Sequence, residues 1–156
     1  TRGGTHALRA EAAWREVLPA RHAGVPYACA ASRAVVMEGL SPSLKGSVGY
    51  RFRQDRRDDR LAPATGSYFA FDSEVAGLLG DVRFVKSSVE AQMHVPLVDF
   101  GRSVPNTIRP VALNLCASAG CMRPYGGDRP ARINDRFFLG GPLVLRGFQP
   151  FGVGPR

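Results

Sequence analysis

The sequence predicts an all-β protein: a transmembrane antiparallel up-and-down β-barrel, here an incomplete six-strand segment followed by a long loop. The first observation is a two-residue alternation of apolar and polar side chains that returns in segment after segment, as it does when successive side chains point to opposite faces of a sheet. The second is the punctuation between these segments, where Gly, Pro, Asp, Asn and Ser cluster as they do in turns. The third is strand length, about 9 to 14 residues, which matches a tilted crossing of a bilayer. No apolar run approaches the ~20 residues of a spanning helix, and that does not exclude a membrane protein, because a closed β-barrel also satisfies backbone groups in lipid.

The elements follow in order. Residues 5–18 alternate Leu8, Ala10, Ala12 and Trp14 with Arg9, Glu11 and Arg15. The same stretch also has helical spacing and good helix formers, but its neighbours in the chain read as strands, and consecutive strands pair as hairpins. Residues 27–38 are expected as a strand although Ala28 to Ala31 offer no polar partner before Ser32 and Arg33. Residues 43–54 give the clearest pattern, with Leu44, Gly46, Val48, Tyr50 and Phe52 opposed to Ser43, Lys45, Ser47, Gly49, Arg51 and Arg53. Residues 67–76 set Phe69, Phe71 and Val75 against Tyr68, Asp72 and Glu74. Residues 82–97 set Val85, Val89, Ala91, Met93 and Val95 against Lys86, Ser88, Glu90, Gln92 and His94. Residues 107–119 set Val111, Leu113, Leu115, Ala117 and Ala119 against Ala112, Asn114, Cys116 and Ser118. Turns are expected at 19–26, 39–42, 55–66, 77–81 and 100–106, and strands of about 9 to 14 residues suit a tilted bilayer crossing. From 120 to 156 no period persists, and a long ordered loop of that kind is usually functional.

Composition narrows the function classes. The 156 residues are 44% hydrophobic and 22% charged, so the chain is globular rather than disordered. The net charge of +8 would suit nucleic acid or an anionic surface. Yet the dense cluster "RFRQDRRDDR" at 51–60 mixes aspartates into its arginines, and they would repel phosphates. Cys29, Cys116 and Cys121 have neither zinc-ligand spacing nor an even number, and three reduced thiols are expected. His6, His22 and His94 lie far apart with no nucleophile motif beside them. Asp72, Glu74 and Glu90 would be ordinary acids on the wet face of a barrel, and Trp14 an interfacial belt residue. No enzyme activity, metal, nucleotide or other cofactor is implied. The chain opens without Met and is expected to be a piece of a longer polypeptide that does not fold alone, with two unpaired edges and an uncovered apolar face.

The stretch "INDRFFLGGPLVLRGFQPF" at 133–151 carries the most chemistry. Gly140 and Gly141 precede Pro142-Leu143-Val144-Leu145, and Arg146 stands before Gly147 and Phe148. Flanking glycines allow close approach to another surface, Phe148 is an apolar anchor, and the single cation can enter a cavity and find a carboxylate. Asp135 and Arg136 are either turn residues or a pair that stabilises the loop. Asp55, Arg57, Asp58, Pro63 and Gly66 read as a turn closed by Asx-type hydrogen bonds.

These residues resemble a known family. "INDRFFLGGPLVLRGFQPFGVGP" at 133–155 is similar to the loop signature of the BamA-like outer-membrane β-barrel assembly superfamily, the bacterial surface antigen family. "GTHALRAEAAWRE" at 4–16, "SLKGSVGYRFRQDRRDDRLAPATGSYF" at 43–69 and "EVAGLLGDVRFVKSSVEAQMHVPL" at 74–97 extend the likeness over nearly the whole chain, and are closest to the branch of the mitochondrial sorting and assembly machinery. Leu145 departs from the usual Val or Ile, a swap that keeps volume. The expected turn at 19–26 is longer than a tight turn there would be.

The resemblance implies a barrel of about sixteen strands, with this chain supplying central strands and most of the loop. It implies that Arg146 folds into the lumen and pairs with an acid beyond Arg156, with Gly140, Gly141, Gly147 and Phe148 shaping the approach. The implied function is insertion and folding of β-barrel precursors in the mitochondrial outer membrane. The implied partners are the lipid bilayer, the precursors and other subunits of the sorting and assembly machinery, with no nucleic acid. Two alternatives stand beside it: a related protein-translocating pore of the secretion or chloroplast-envelope type, and a soluble basic nucleic-acid-binding β-module. The last would bury its apolar faces in a closed core.

Overall fold

A computed structural model describes residues 3–17, 38, 41–98, 111–127, 131–138 and 147. Five strands hold most of them: β1 Thr5–Arg15, β2 Ser43–Asp55, β3 Gly66–Gly80, β4 Phe84–Val98 and β5 Val111–Pro124. A single 3-10 turn follows at Ile133–Asp135. The strands form one antiparallel sheet in chain order, β1-β2-β3-β4-β5. Among the described residues no helix is long and apolar enough to cross a membrane.

Of the six strands expected, five lie among the described residues. The strand expected over 27–38 lies outside the described residues except for Glu38, whose backbone is helical. β1 is the direct neighbour of β2, so no third strand separates them. Strand β1 stops at Arg15 rather than 18, because Glu16 would place a carboxylate among the apolar side chains of Leu8, Ala10, Ala12 and Trp14. Strand β3 runs four residues past 76. Gly77 looks like a breaker in the sequence but is carried within the strand at φ +128°, and the chain turns only at Gly80, φ +88°, and Asp81. Strand β5 continues past Ala119 to Pro124, because Met122 packs against buried Ala76, Val82 and Phe84. The long loop therefore begins after Pro124, while residues 107–110 lie outside the described ones.

Burial is reversed relative to a soluble sheet. On β2 the small or charged Ser43, Lys45 and Ser47 are buried, while Leu44, Val48 and Tyr50 are exposed. On β4 Val85, Val89 and Met93 are exposed at every fourth position, and His94 is buried. Trp14, expected as a belt residue, is 70% exposed. The buried hydrophobic residues are Ala70, Ala76, Val82 and Phe84 alone among those described. The exposed apolar side chains form the kind of patch that marks a surface meant for a partner or for lipid.

By packing, the described residues divide into two compact units. The first holds those of Thr1–Ala10, Val48–Val75 and Lys86–Cys121. Its exposed face gathers aromatic rings: His6 lies against Phe52 with centroids 4.9 Å apart and the rings tilted at 47°, Phe52 lies 6.1 Å from Phe69, and Tyr50 lies 6.3 Å from Phe71. His6 Nδ1 and the Tyr50 hydroxyl are 2.8 Å apart. Beyond these rings the β2–β3 turn is closed by its own acids. Asp58 accepts hydrogen bonds from the Ala64 N–H at 3.0 Å and the Thr65 N–H at 3.2 Å, and the Thr65 bond leads in holding the carboxyl below its ordinary range. Asp55 binds Arg57 through both oxygens at 2.9 and 3.0 Å. The Arg57 guanidinium also lies 4.8 Å from the Tyr68 ring centroid. The second unit holds the described residues of Glu11–Ser47, Ala76–Val85 and Met122–Arg156, and contains the site described next.

Candidate functional site: the loop after β5 and the wall beneath it

The apolar cluster of Ala76, Val82, Phe84 and Met122 forms the base of this unit. The Tyr125 hydroxyl donates to the Ala76 carbonyl at 2.6 Å, and the Tyr125 N–H donates to the Arg83 carbonyl at 3.4 Å. The loop therefore leaves β5 already fastened to the β3–β4 hairpin. The turn of that hairpin is fastened to β2 in its own way: Asp81 accepts the Leu44 N–H at 2.9 Å and donates its own N–H to the Leu44 carbonyl at 3.2 Å. Burial alone would raise the Asp81 carboxyl. The hydrogen bonds from the Leu44 N–H, its own N–H and Arg132 outweigh that, and hold it below the ordinary value.

The segment 131–136 lies at the centre of the site. Its 3-10 turn is closed by the Asp135 N–H on the Arg132 carbonyl at 3.0 Å and the Arg136 N–H on the Ile133 carbonyl at 3.2 Å. This turn brings the Asp135 carboxylate inward, where it is 3% exposed. Arg15 of β1 donates to Asp135 Oδ1 at 2.7 Å, and Lys45 Nζ of β2 stands 3.6 Å from the same oxygen. Lys45 is itself buried, with its ammonium 5.3 Å from the centroid of the Phe84 ring. Arg15 also meets Glu11, four residues earlier on the same strand face, at 3.5 Å. Two acids and two bases thus close on one another beneath the segment, as ions removed from water require.

Five weaker ties surround that cluster. Arg132 donates to Asp81 Oδ2 at 2.9 Å and to the Ser41 carbonyl at 3.3 Å. Glu38 accepts the Ile133 N–H at 2.7 Å, and its other oxygen lies 3.5 Å from Arg136 Nη2. Arg136 Nε donates to the Ala131 carbonyl at 2.9 Å. Magnitudes rank these contacts. Partly exposed ion pairs contribute ~0–1 kcal/mol each, whereas removing one partner of a buried pair costs about 3–5 kcal/mol. Asp135 is therefore the dominant contact of the segment.

The arrangement holds a chain segment in place. Asp72 is taken up by Arg51, and Glu90 accepts from Gln92 at 2.7 Å. His94 Nδ1 is 2.7 Å from Asn114 Oδ1. Among the described residues no three His, Cys, Asp or Glu side chains gather as a metal site, and Cys116 and Cys121 are free and exposed.

The residues singled out in the sequence fare differently. Asp135 and Arg136 stand at the site, Asp135 with Arg15 and Lys45, Arg136 with Glu38 and the Ala131 carbonyl. Gly147 has φ +89° with open space where a side chain would begin, a backbone that favours glycine. Gly140, Gly141, Arg146 and Phe148 lie outside the described residues. The sequence reading missed Arg15, Lys45, Glu38, Asp81 and Arg132. A signal existed for two of them: Glu11 and Arg15 share a strand face, and Lys45 stands between Ser43 and Ser47, small neighbours that leave room for a partner to cover it.

Comparison with known proteins identifies a family for the chain. A family model described as an Omp85 superfamily domain matches residues 6–156. The chain is 32% identical over 155 residues to the sorting and assembly machinery component 50 homolog A of Xenopus laevis, a match covering 97% of this chain and 29% of that protein. It is 30% identical over 155 residues to the component 50 homolog of Homo sapiens, with the same coverage of 97% and 29%. A SAM50-like protein of Schizosaccharomyces pombe is 33% identical over 156 residues, covering 98% of this chain and 29% of its own length. The chain thus spans less than a third of the length of the curated relatives it matches.

Proposed function

Because the chain belongs to the Omp85 superfamily, we propose that it is wall and loop of a mitochondrial outer-membrane barrel that inserts and folds β-barrel precursor proteins. The observation that carries this reading is the reversed polarity of the sheet, with Leu44, Val48, Val89 and Met93 exposed and Ser43, Lys45 and Ser47 buried. Such a sheet suits lipid outside and a polar lumen inside. The names of the relatives, sorting and assembly machinery component 50, favour an assembly factor within a multi-subunit machine over a secretion or envelope pore.

In this reading no covalent step occurs and the protein is not an enzyme. A precursor strand pairs its backbone with an opened seam elsewhere in the barrel, and bilayer thinning beside that seam lowers the barrier to insertion. The strands of this chain supply fixed wall. The loop braces the lumen, with Arg146 reaching an acid on the inner wall and Gly147 allowing the close approach. The partners are the bilayer, the precursors and the other subunits of the machinery.

Mitochondria depleted of the full-length protein test the reading. Insertion of a radiolabelled barrel precursor is expected to fall and to return when the full-length protein is resupplied. Undiminished barrel insertion together with lost passage of a soluble protein would instead indicate a pore. A full-length Arg146→Ala variant is expected to insert precursors several-fold more slowly and to lose part of its heat resistance; normal values of both would remove the loop from the mechanism.

A further inference from the structure

We propose that Asp135 is a positioning residue, which sets the glycine- and arginine-bearing loop on the wall through Arg15 and Lys45; the inference rests on the insertase reading above. Arg15 Nη1 is 2.7 Å from the carboxylate and Lys45 Nζ 3.6 Å, on two neighbouring strands. Asp135 is 3% exposed and Lys45 5%. Solvent screening is therefore slight, and a carboxamide, though it could still accept hydrogen bonds, would remove the negative charge that offsets the two cations. Arg132 and Arg136, on either side, make ties to Asp81 and Glu38 that leave more surface to water. Those ties are too weak to hold the segment alone.

The position of this anchor along the chain gives it leverage. Arg146 follows Pro124, the last residue of β5, by 22 positions and follows Asp135 by 11. Fixing Asp135 thus halves the tether on which Arg146 is held. By chain length alone, the local concentration of a tethered end scales roughly as the −3/2 power of length, so halving raises it about threefold. Orientation imposed by the 3-10 turn adds to that figure. Asp135 and Arg146 are thereby two anchors of one loop, and the first makes the second easier to form.

The test uses the full-length protein in nanodiscs and in mitochondria, with Asp135→Asn, Asp135→Glu and Arg15→Gln variants. Hydrogen exchange of the 131–138 peptide reports the segment directly, because the Ile133 N–H is held by Glu38. Asp135→Asn is expected to speed that exchange at least about tenfold, to slow precursor insertion about threefold or more, and to lower heat resistance of the barrel without abolishing folding. Asp135→Glu, which keeps the charge, should restore most of each. If Asp135→Asn fails to fold, Arg15→Gln, altered at a partly exposed partner, carries the same expectations. Unchanged exchange in the folded variants overturns the inference. So does faster exchange with insertion at the native rate, which leaves the insertase reading standing. Loss of insertion on depletion of the native protein tests that reading by itself.

Discussion

At the scale of single residues, the structure turns on where charge is hidden. Asp135 was legible as a loop residue of interest, but its partners were not, because they are 90 and 120 positions away in sequence. Only the pairing of β1 beside β2 brings Arg15 and Lys45 together, and no local pattern encodes that register. Gly80 is a plainer case. It turns the β3–β4 hairpin at φ +88°, and a Cβ there would run into the Leu44 carbonyl. Gly80→Ala is expected to destabilise the hairpin by about 1–3 kcal/mol, read as a lower temperature for loss of the heat-resistant barrel band. An unchanged band would mean that the turn relaxes without cost.

At the scale of elements, the strands with strict alternation on both faces were legible nearly to their ends. β2 and β4 differ from expectation by one or two residues. β3 and β5 were read short because glycines at 77 and 120 looked like stops, whereas the ladder continues and distant Tyr125 and Met122 pack on the extended ends. Tertiary contact overrode local propensity in both. The β3–β4 turn carries a pH dependence of definite sign. Asp81 has its folded value lowered from 3.8, so its contribution is fully present above that ordinary value. It is lost as pH falls through the lower folded value. Exchange at the Leu44 N–H, corrected for intrinsic rate, should therefore be flat from neutral pH to about 5 and faster in stronger acid. Asp81→Asn should flatten that rise, and an identical acid profile in the variant would assign it to another group.

At the scale of the whole molecule, the alternating faces were the strongest sequence signal, and their solvent assignment is the main structural finding. A sequence pattern alone fixes which residues share a face, but not which face meets lipid. The exposed set of Leu44, Val48, Val85, Val89 and Met93 and the buried set of Ser43, Lys45 and Ser47 support the apolar face as the one that meets lipid in the proposed reading. A lysine on the lipid side is costly, about 2–4 kcal/mol near the bilayer midplane. Val89→Lys should accordingly lower barrel yield and heat resistance in the full-length protein. Ser88→Lys, one residue along on the polar face, should be tolerated. The most direct measurement is spin-label accessibility along β4 of the full-length protein in lipid, one label at a time from 85 to 93. Oxygen, which partitions into lipid, should reach 85, 87, 89, 91 and 93, while a polar nickel reagent should not, and 86, 88, 90 and 92 should show the opposite preference. Accessibility without a two-residue period, or polar reagent reaching Val89 and Met93 freely, would contradict a lipid-facing wall.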